Sequence, residues 1–331
     1  MFGLIKYFMF AIINGIGGKE IFMLEEILSH YSSETLKKID RILDDGHDEI
    51  ISVIECQYKE YDLLRILNLL IEGHDIKLFG NGLFNSLQIG QIIVGLKDGI
   101  DVSVYADLIF NCWQMNQIRL GLESNVDVSI YANSKFKWKQ MEQIRYGLEN
   151  DVDASIYADP KFDSNQMQEI RLGLESNIDV SIYANPKLDY KQMEQIRCGL
   201  ENDIDVSIYA NLKFNYLQMK QIRYGLENDI DVSIYTNLKF EWKQMEQIRL
   251  GLENDVDILM YADPRCSWEK MEKIRMKLEN DVDVSIYADT KNEKSRNKLG
   301  IDGKTMIIDD ITEKVKTRKL VKDEKKKTTG E

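Results

Sequence analysis

Residues 244–257 read QMEQIRLGLENDVD, and residues 140–153 read QMEQIRYGLENDVD. Close copies fill the chain between them. Met115, Met141, Met167, Met193, Met219, Met245 and Met271 follow one another at steps of 26 residues. Ile89 and Leu63 hold the same place one and two periods earlier, and Leu36 precedes them after a step of 27. Each is followed by an aliphatic residue at +3 and by Leu at +7, so ten units can be traced, the first two degenerate. Self-similarity at such a period is the signature of a solenoid, in which every unit buries its apolar face against its neighbours.

Within a unit the apolar positions −3, 0, +3 and +7, counted from the Met, share one stripe of a helix. Asn85, Asn111, Asp163, Asp189, Asn215 and Ser267 stand at the expected N-cap, and Gln88, Gln114, Gln166, Gln192 and Gln218 follow three residues on as a capping box. Lys137 and Glu241 break the cap rule, and Lys270 replaces the Gln of the last unit. Phe84, Phe110, Phe136, Phe162, Phe214 and Phe240 precede the cap, placed for a hydrophobic staple onto the Met. Three residues beyond the Leu at +7 come Gly46, Gly73, Gly99, Asn125, Asp151, Asn177, Asp203, Asp229, Asp255 and Asp281, residue types that tolerate the left-handed conformation at a helix stop. Asp101, Asp127, Asp153, Asp179, Asp205, Asp231, Asp257 and Asp283 then cap a shorter helix, VSIYA in most copies. The expectation is an all-α fold, an α-solenoid of about ten 26-residue units, each a long helix plus a short helix.

Two repeated positions exceed what capping needs. Gly95, Gly121, Gly147, Gly173, Gly199, Gly225 and Gly251 fall inside the long helix, where Gly is about 1 kcal/mol worse than Ala, and suggest close backbone approach between successive units. Arg119, Arg145, Arg171, Arg197, Arg223, Arg249 and Arg275 form a file at the edge of the buried stripe. Such a file could contact a polyanion. The reading preferred here is structural, with each stem buried and each guanidinium paired with the Glu four residues on. The tyrosines of SIYA are read as packing between layers.

Binding is sought where units differ. Position +5 reads Leu120, Tyr146, Leu172, Cys198, Tyr224, Leu250 and Met276, apolar but off the main stripe, and is the candidate partner surface if it is not buried between helices. Positions −4 and −2 and the loop after YA also vary, which marks them as an adjustable surface.

The formal net charge is −13, but residues 291–331 carry 13 Lys/Arg against 8 Asp/Glu, leaving about −18 on the rest. An acidic body repels phosphate backbones and disfavours nucleic acid as the main ligand. Cys56, Cys112, Cys198 and Cys266 lack metal-ligand spacing, so no metal or cofactor is expected. ENDVDVS lacks the spacing of a calcium loop, and cap chemistry accounts for each Asp. The opening MFGLIKYFMFAIINGIGG is apolar but short for a membrane span and lacks a charged lead, while Met23 begins a more ordinary start. The expected organisation is therefore 1–22 as an over-called start or weak signal, 23–61 as an N-terminal helical cap, 62–289 as the tandem-repeat solenoid, and 290–331 as a charged tail. A cytoplasmic location without a membrane span is the expectation, with export through residues 1–22 as the minority reading.

The phrase QM-x-x-IR-x-GLE…DVS-x-YA, over about residues 62–288, resembles tandem repeats in proteins of clostridia and related gut bacteria, often phage- or plasmid-associated. The resemblance implies an α-solenoid in plan and brings no established activity. Every charged residue with a chemical look has about eight equivalents, whereas catalysis needs one unique constellation. The expectation is a non-enzymatic scaffold that binds another macromolecule, a protein first, along an extended surface. A nucleic-acid-binding repeat using the Arg file and basic tail is the alternative, and an exported or surface-anchored adhesin the second.

Overall fold

The computed structural model describes residues 18–236 and 239–280, with side chains from Met23 onward. The expected N-terminal segment through residue 17, the end of the last repeat (281–289) and the tail lie outside the described residues. By backbone proximity the chain divides into Met1–Arg223 and Tyr224–Glu331.

The first unit is all helical among its described residues. Three helices open it: α1 (Gly18–Ser29), α2 (Ser33–Asp44) and the short α3 (Ile50–Glu55). There follow α4 (Glu60–Ile71), α5 (Ser86–Lys97), α6 (Cys112–Glu123), α7 (Trp138–Glu149), α8 (Ser164–Glu175) and α9 (Tyr190–Glu201), each 12 residues long and each packed on the next. A 3-10 helix follows each: Lys77–Asn81, Val102–Val104, Val128–Ile130, Ala154–Ile156, Val180–Ile182 and Val206–Ile208. The boundary falls inside α10 (Tyr216–Glu227). The second unit repeats the pattern, with 3-10 helices Val232–Ile234 and Ile258–Met260 and with α11 (Trp242–Glu253) packed on α12 (Trp268–Glu279). Within each unit the described residues thus form sequentially packed helix-plus-turn repeats, the all-α plan of a helical solenoid, and the expected short second helix is a single 3-10 turn.

The start and stop signals act as the sequence predicts. Asn111 accepts from the N–H groups of Trp113 and Gln114, and Gln114 Oε1 accepts from the Asn111 N–H at 2.9 Å. Lys137 and Glu241 give no side-chain cap, yet Gln140 and Gln244 still hold the N–H of that residue. Asn125, Asp151, Asn177, Asp203, Asp229 and Asp255 all adopt φ between 54° and 57°. The next residue closes a Schellman bond onto the interior glycine, Val126 N–H to the Gly121 carbonyl at 3.0 Å. Asp127 caps the 3-10 turn by accepting from the Ser129 N–H.

The interior glycines serve a different purpose from the expected contact between units. A Cβ on Gly95, Gly121, Gly147, Gly173, Gly199, Gly225 or Gly251 would overlap the hydroxyl of Tyr105, Tyr131, Tyr157, Tyr183, Tyr209, Tyr235 or Tyr261, ten residues later in the same unit. Each of these tyrosines is buried. Tyr131 donates to the Gln117 carbonyl at 3.1 Å, as Tyr157 does to Gln143 and Tyr183 to Glu169. That carbonyl also accepts the glycine N–H of the α-helix. Glycine therefore opens a notch through which the 3-10 turn locks onto its own helix, and the tyrosines pack within their units. Lys277 holds the glycine position in α12, and its counterpart Tyr287 lies outside the described residues.

Candidate functional site

Most repeated polar side chains hold one unit to the next. Gln114 Nε2 donates to the Phe136 carbonyl at 2.7 Å, Gln140 to Phe162 at 2.6 Å, Gln166 to Leu188 at 2.6 Å and Gln192 to Phe214 at 2.7 Å, each 22 residues on. The same amide thus closes its own capping box and ties down the loop of the following unit. Asp62 occupies this position in α4 and is bonded by Ser86 Oγ of α5. Thr35 occupies it in α2 and donates to Glu60 of α4. The sequence marked only the cap. The second role follows from burial, because a buried amide needs its N–H groups matched as well as its oxygen.

The arginine file is bound into the same fabric. Arg145 Nε donates to Gln117 Oε1 of the preceding unit at 3.1 Å, and its Nη1 pairs with Glu149 at 2.7 Å. Glu149 in turn accepts from Ser124 Oγ, again of the preceding unit. Arg119, Arg171, Arg197 and Arg275 repeat both bonds. Arg223 Nε bonds Gln195 Oε1, and Arg249 pairs with Glu253. Side-chain exposure across the paired members runs from 8% to 14%, so the stems are covered. One unit departs. Glu169 stands where the others have Gln, and ion-pairs with Arg197 at 2.9 Å. Burial pushes the Glu169 carboxyl above the ordinary glutamate value, against the lowering pull of Arg197.

The +5 residues lie half-buried at Leu120, Leu172, Cys198, Tyr224 and Leu250, and exposed at Tyr146 and Met276. Arg145 stacks over the Tyr146 ring at 4.4 Å, and Arg171 approaches it at 5.8 Å. This file therefore shares its area between packing and solvent.

Greater exposure gathers at the N-terminal ends of the long helices. In the first unit Tyr61, Leu87 and Trp113, all at −2, are 68%, 65% and 59% exposed. Leu83 and Ile109, at −6 in the preceding loops, are exposed as well. Position −6 is fixed by an Asx turn, since its N–H donates to the side chain two residues before it: Leu83 to Asn81, Ile109 to Asp107, Lys135 to Asn133, Lys161 to Asp159, Lys187 to Asn185, Lys213 to Asn211. From Lys135 onward this position is basic. Aromatic side chains interleave with lysines in the first helical turn. The Trp113 and Trp138 rings lie 5.7 Å apart, Lys139 sits over Trp138, and Lys191 lies 4.6 Å from the Tyr216 centroid and 5.9 Å from that of Tyr190. In the second unit Lys243 lies between Trp242 and Trp268, at 5.6 and 4.0 Å. The signal available in sequence was an apolar residue at −2, about 200° around the helix from the Met.

The opposite edge is acidic. A depression there of about 490 Å³ is lined by Ser124, Asn125, Val126, Asp127, Leu148, Glu149 and Asp151, with no nucleophile–base pair among them. Among the described residues no group of three or more His, Cys, Asp or Glu is placed to hold a metal, and no helix is long and apolar enough to cross a membrane. Comparison of the chain with protein-family models, with curated proteins and with solved structures finds no match to any of them.

Proposed function

We infer that this chain is a non-enzymatic repeat scaffold that binds another protein along the N-terminal edge of its long helices. One observation carries the reading: the polar residues that recur in every unit are consumed in internal bonds, whereas the exposed position −2 at the N-terminal ends of the long helices varies from unit to unit. Asp127 caps a turn, Gln140 and Arg145 tie units together and Tyr157 locks a unit closed. Position −2 carries Tyr61, Leu87 and Trp113, three large exposed side chains on successive helices, and apolar side chains clustered in this way mark interaction surfaces. Extended surfaces built by stacking units, with variable residues on one edge, are how solenoids present binding sites. The resemblance to bacterial tandem-repeat proteins is compatible with this reading and adds no activity to it. The nucleic-acid alternative is weakened because the arginines it needs are held by Gln and Glu side chains.

The test is affinity capture from a lysate of the source cells, with nuclease, comparing the natural chain with the variant Tyr61→Ser/Leu87→Ser/Trp113→Ser. A protein held by the natural chain and released by the variant supports the scaffold reading. Capture that disappears with nuclease, or that Arg145→Ala removes and the triple variant does not, overturns it.

A further inference from the structure

The first unit separates its charge by edge. Helices α6, α7, α8 and α9 have no acidic residue in the first turn and no basic residue in the last. Their last residues are instead Glu123, Glu149, Glu175 and Glu201, followed across the stop by Asp127, Asp151, Asp153, Asp179, Asp203 and Asp205. Lys135, Lys161, Lys187 and Lys213 are exposed on the loops that lead into the first turns. A helix is stabilised by the reverse arrangement, anions at its N-terminus and cations at its C-terminus, each by about 0.3–1 kcal/mol. At α7, where Lys135, Lys137 and Lys139 precede or open the helix, fixed charge adds to the helix dipole. At α8 and α9 the capping Asp163 and Asp189 oppose it. Lysines still outnumber carboxylates along the N-terminal edge while Glu and Asp gather at the other, so the edges differ in potential.

Along this edge, where Asp107, Asp159, Asp163 and Asp189 stand among the lysines and are engaged in turns and caps, the character also changes. Tyr61, Leu83, Leu87, Ile109 and Trp113 come first, then the lysines with Trp138, Tyr190 and Tyr216 between them. Lys139 and Lys191 lie over aromatic rings, which holds their charge near the helix ends instead of leaving it free to wander. No carboxylate partner is found among the described residues for Lys135, Lys187 or Lys213, and Lys161 has only Asp159 at 3.7 Å.

We propose that the occupant of this edge is an acidic polypeptide segment with apolar anchors at one end. The anchors cover Tyr61, Leu87 and Trp113, and the carboxylates run along Lys135, Lys161, Lys187 and Lys191. The proposal rests on the scaffold reading above and specifies its partner. A nucleic acid fits less well, since its charge is uniform along its length while this edge turns from apolar to basic, and the body near −18 repels a uniform polyanion. A second copy fits less well too, because the acidic edge of another molecule carries Glu and Asp at every repeat, with Ile71, Val126 and Leu148 dispersed among them, and offers no cluster of apolar side chains to cover the five at one end. With neighbouring helices about 8–10 Å apart, the edge from α4 to α9 spans about 40–50 Å. An extended peptide of about 15 residues covers that length.

The experiment uses the full chain and three labelled peptides of about 15 residues. One has Leu and Phe at one end and Glu along the rest, one replaces each Glu with Lys, and one is polyglutamate; a single-stranded DNA of similar length is the fourth probe. Fluorescence anisotropy is read at low and at physiological salt. The expected result is binding of the first peptide alone, weakened by about tenfold or more in Lys135→Gln/Lys161→Gln/Lys187→Gln. Leu87→Ala/Trp113→Ala should weaken it while leaving the salt dependence unchanged. Equal binding of the Lys peptide, of polyglutamate or of DNA overturns the proposal, as does indifference to the lysine variant. Sedimentation velocity at the same concentrations overturns it differently, if the lysine variant dissociates a dimer of the natural chain. The outcomes separate from the scaffold reading: capture from lysate that survives nuclease and the lysine variant leaves the scaffold standing and removes only the acidic segment.

Discussion

The hydroxyl of Tyr157 occupies the space in which a side chain on Gly147 would begin, and from there it donates to the Gln143 carbonyl at 3.1 Å. Helix and 3-10 turn of one unit are thereby joined at a point where only glycine fits. Gly147→Ala would gain about 1 kcal/mol of helix propensity but must displace a buried phenol, and overpacking of this kind costs about 1–3 kcal/mol. Gly147→Ala is expected to lower stability in urea melts. Tyr157→Phe removes one hydrogen bond, at about 1 kcal/mol. The double variant should be more stable than the sum of the two predicts, because Phe vacates the space that Ala needs. Strict additivity would show that the glycine answers to some other contact.

A second expectation concerns the amide that joins units. Gln140 accepts from the Lys137 N–H at 2.7 Å and donates to the Phe162 carbonyl at 2.6 Å. Gln140→Glu keeps the shape and the acceptor but turns the donor into a second acceptor facing a buried carbonyl. The expected loss is about 1–3 kcal/mol at neutral pH, the range for a buried polar group left unmatched. Acid should restore part of it, since a protonated Glu can donate. Thermal melts of both proteins at neutral and mildly acidic pH test this; a loss independent of pH would show that the carbonyl bond is not the one that matters.

The sequence made the architecture legible because each signal is local. The stops at Asn125, Asp151 and Asp203 needed only residue type and position, and all three adopt positive φ. The Arg145–Glu149 pair likewise follows from helical spacing. Contacts that depend on how units stack were not legible. Arg145 reaches Gln117 across 28 residues, and Gln140 reaches Phe162 across 22. The notch at Gly147 was read as an approach between units because sequence shows that a side chain is missing without showing what fills the gap. At the candidate site, position −2 was recognised as variable, but the exposure of Tyr61, Leu87 and Trp113 depends on how the loops lie.

Glu169 offers a test of the joint between units by titration. Its carboxyl is buried, and its affinity for protons is raised in the folded chain by desolvation. Between the ordinary glutamate value and the raised one the folded state holds more protons than the unfolded state, so this group's contribution to stability falls as pH rises through that window. Gln stands in the equivalent place in the neighbouring units and bonds the same arginine nitrogen. Glu169→Gln should therefore leave stability unchanged or raise it by about 1 kcal/mol at neutral pH. The advantage over the natural chain should shrink on acidification. A variant less stable than the natural chain at neutral pH would mean that the ion pair with Arg197 outweighs the burial.

The aspartates that cap the 3-10 turns predict the opposite sign. Asp127, Asp153, Asp179 and Asp205 are held below the ordinary carboxylate value, first by the side chain and then by the backbone N–H of Ser129, Ser155, Ser181 and Ser207. A lowered value means that the folded chain binds fewer protons than the unfolded one, so the stabilisation is complete above the ordinary aspartate value, about pH 4, and is lost as the pH falls through the lowered values. Asn keeps the acceptor oxygen and cannot be protonated in this range. The variant Asp127→Asn/Asp153→Asn/Asp179→Asn/Asp205→Asn should match the natural chain closely near neutrality and should lose less stability than it does between about pH 4 and pH 2. Circular dichroism melts over that range decide the matter. Parallel curves would place acid sensitivity elsewhere, in the Glu residues that pair with the arginine file. Curves that diverge only below pH 4 would assign it to these turns, which also set the loops carrying the exposed edge.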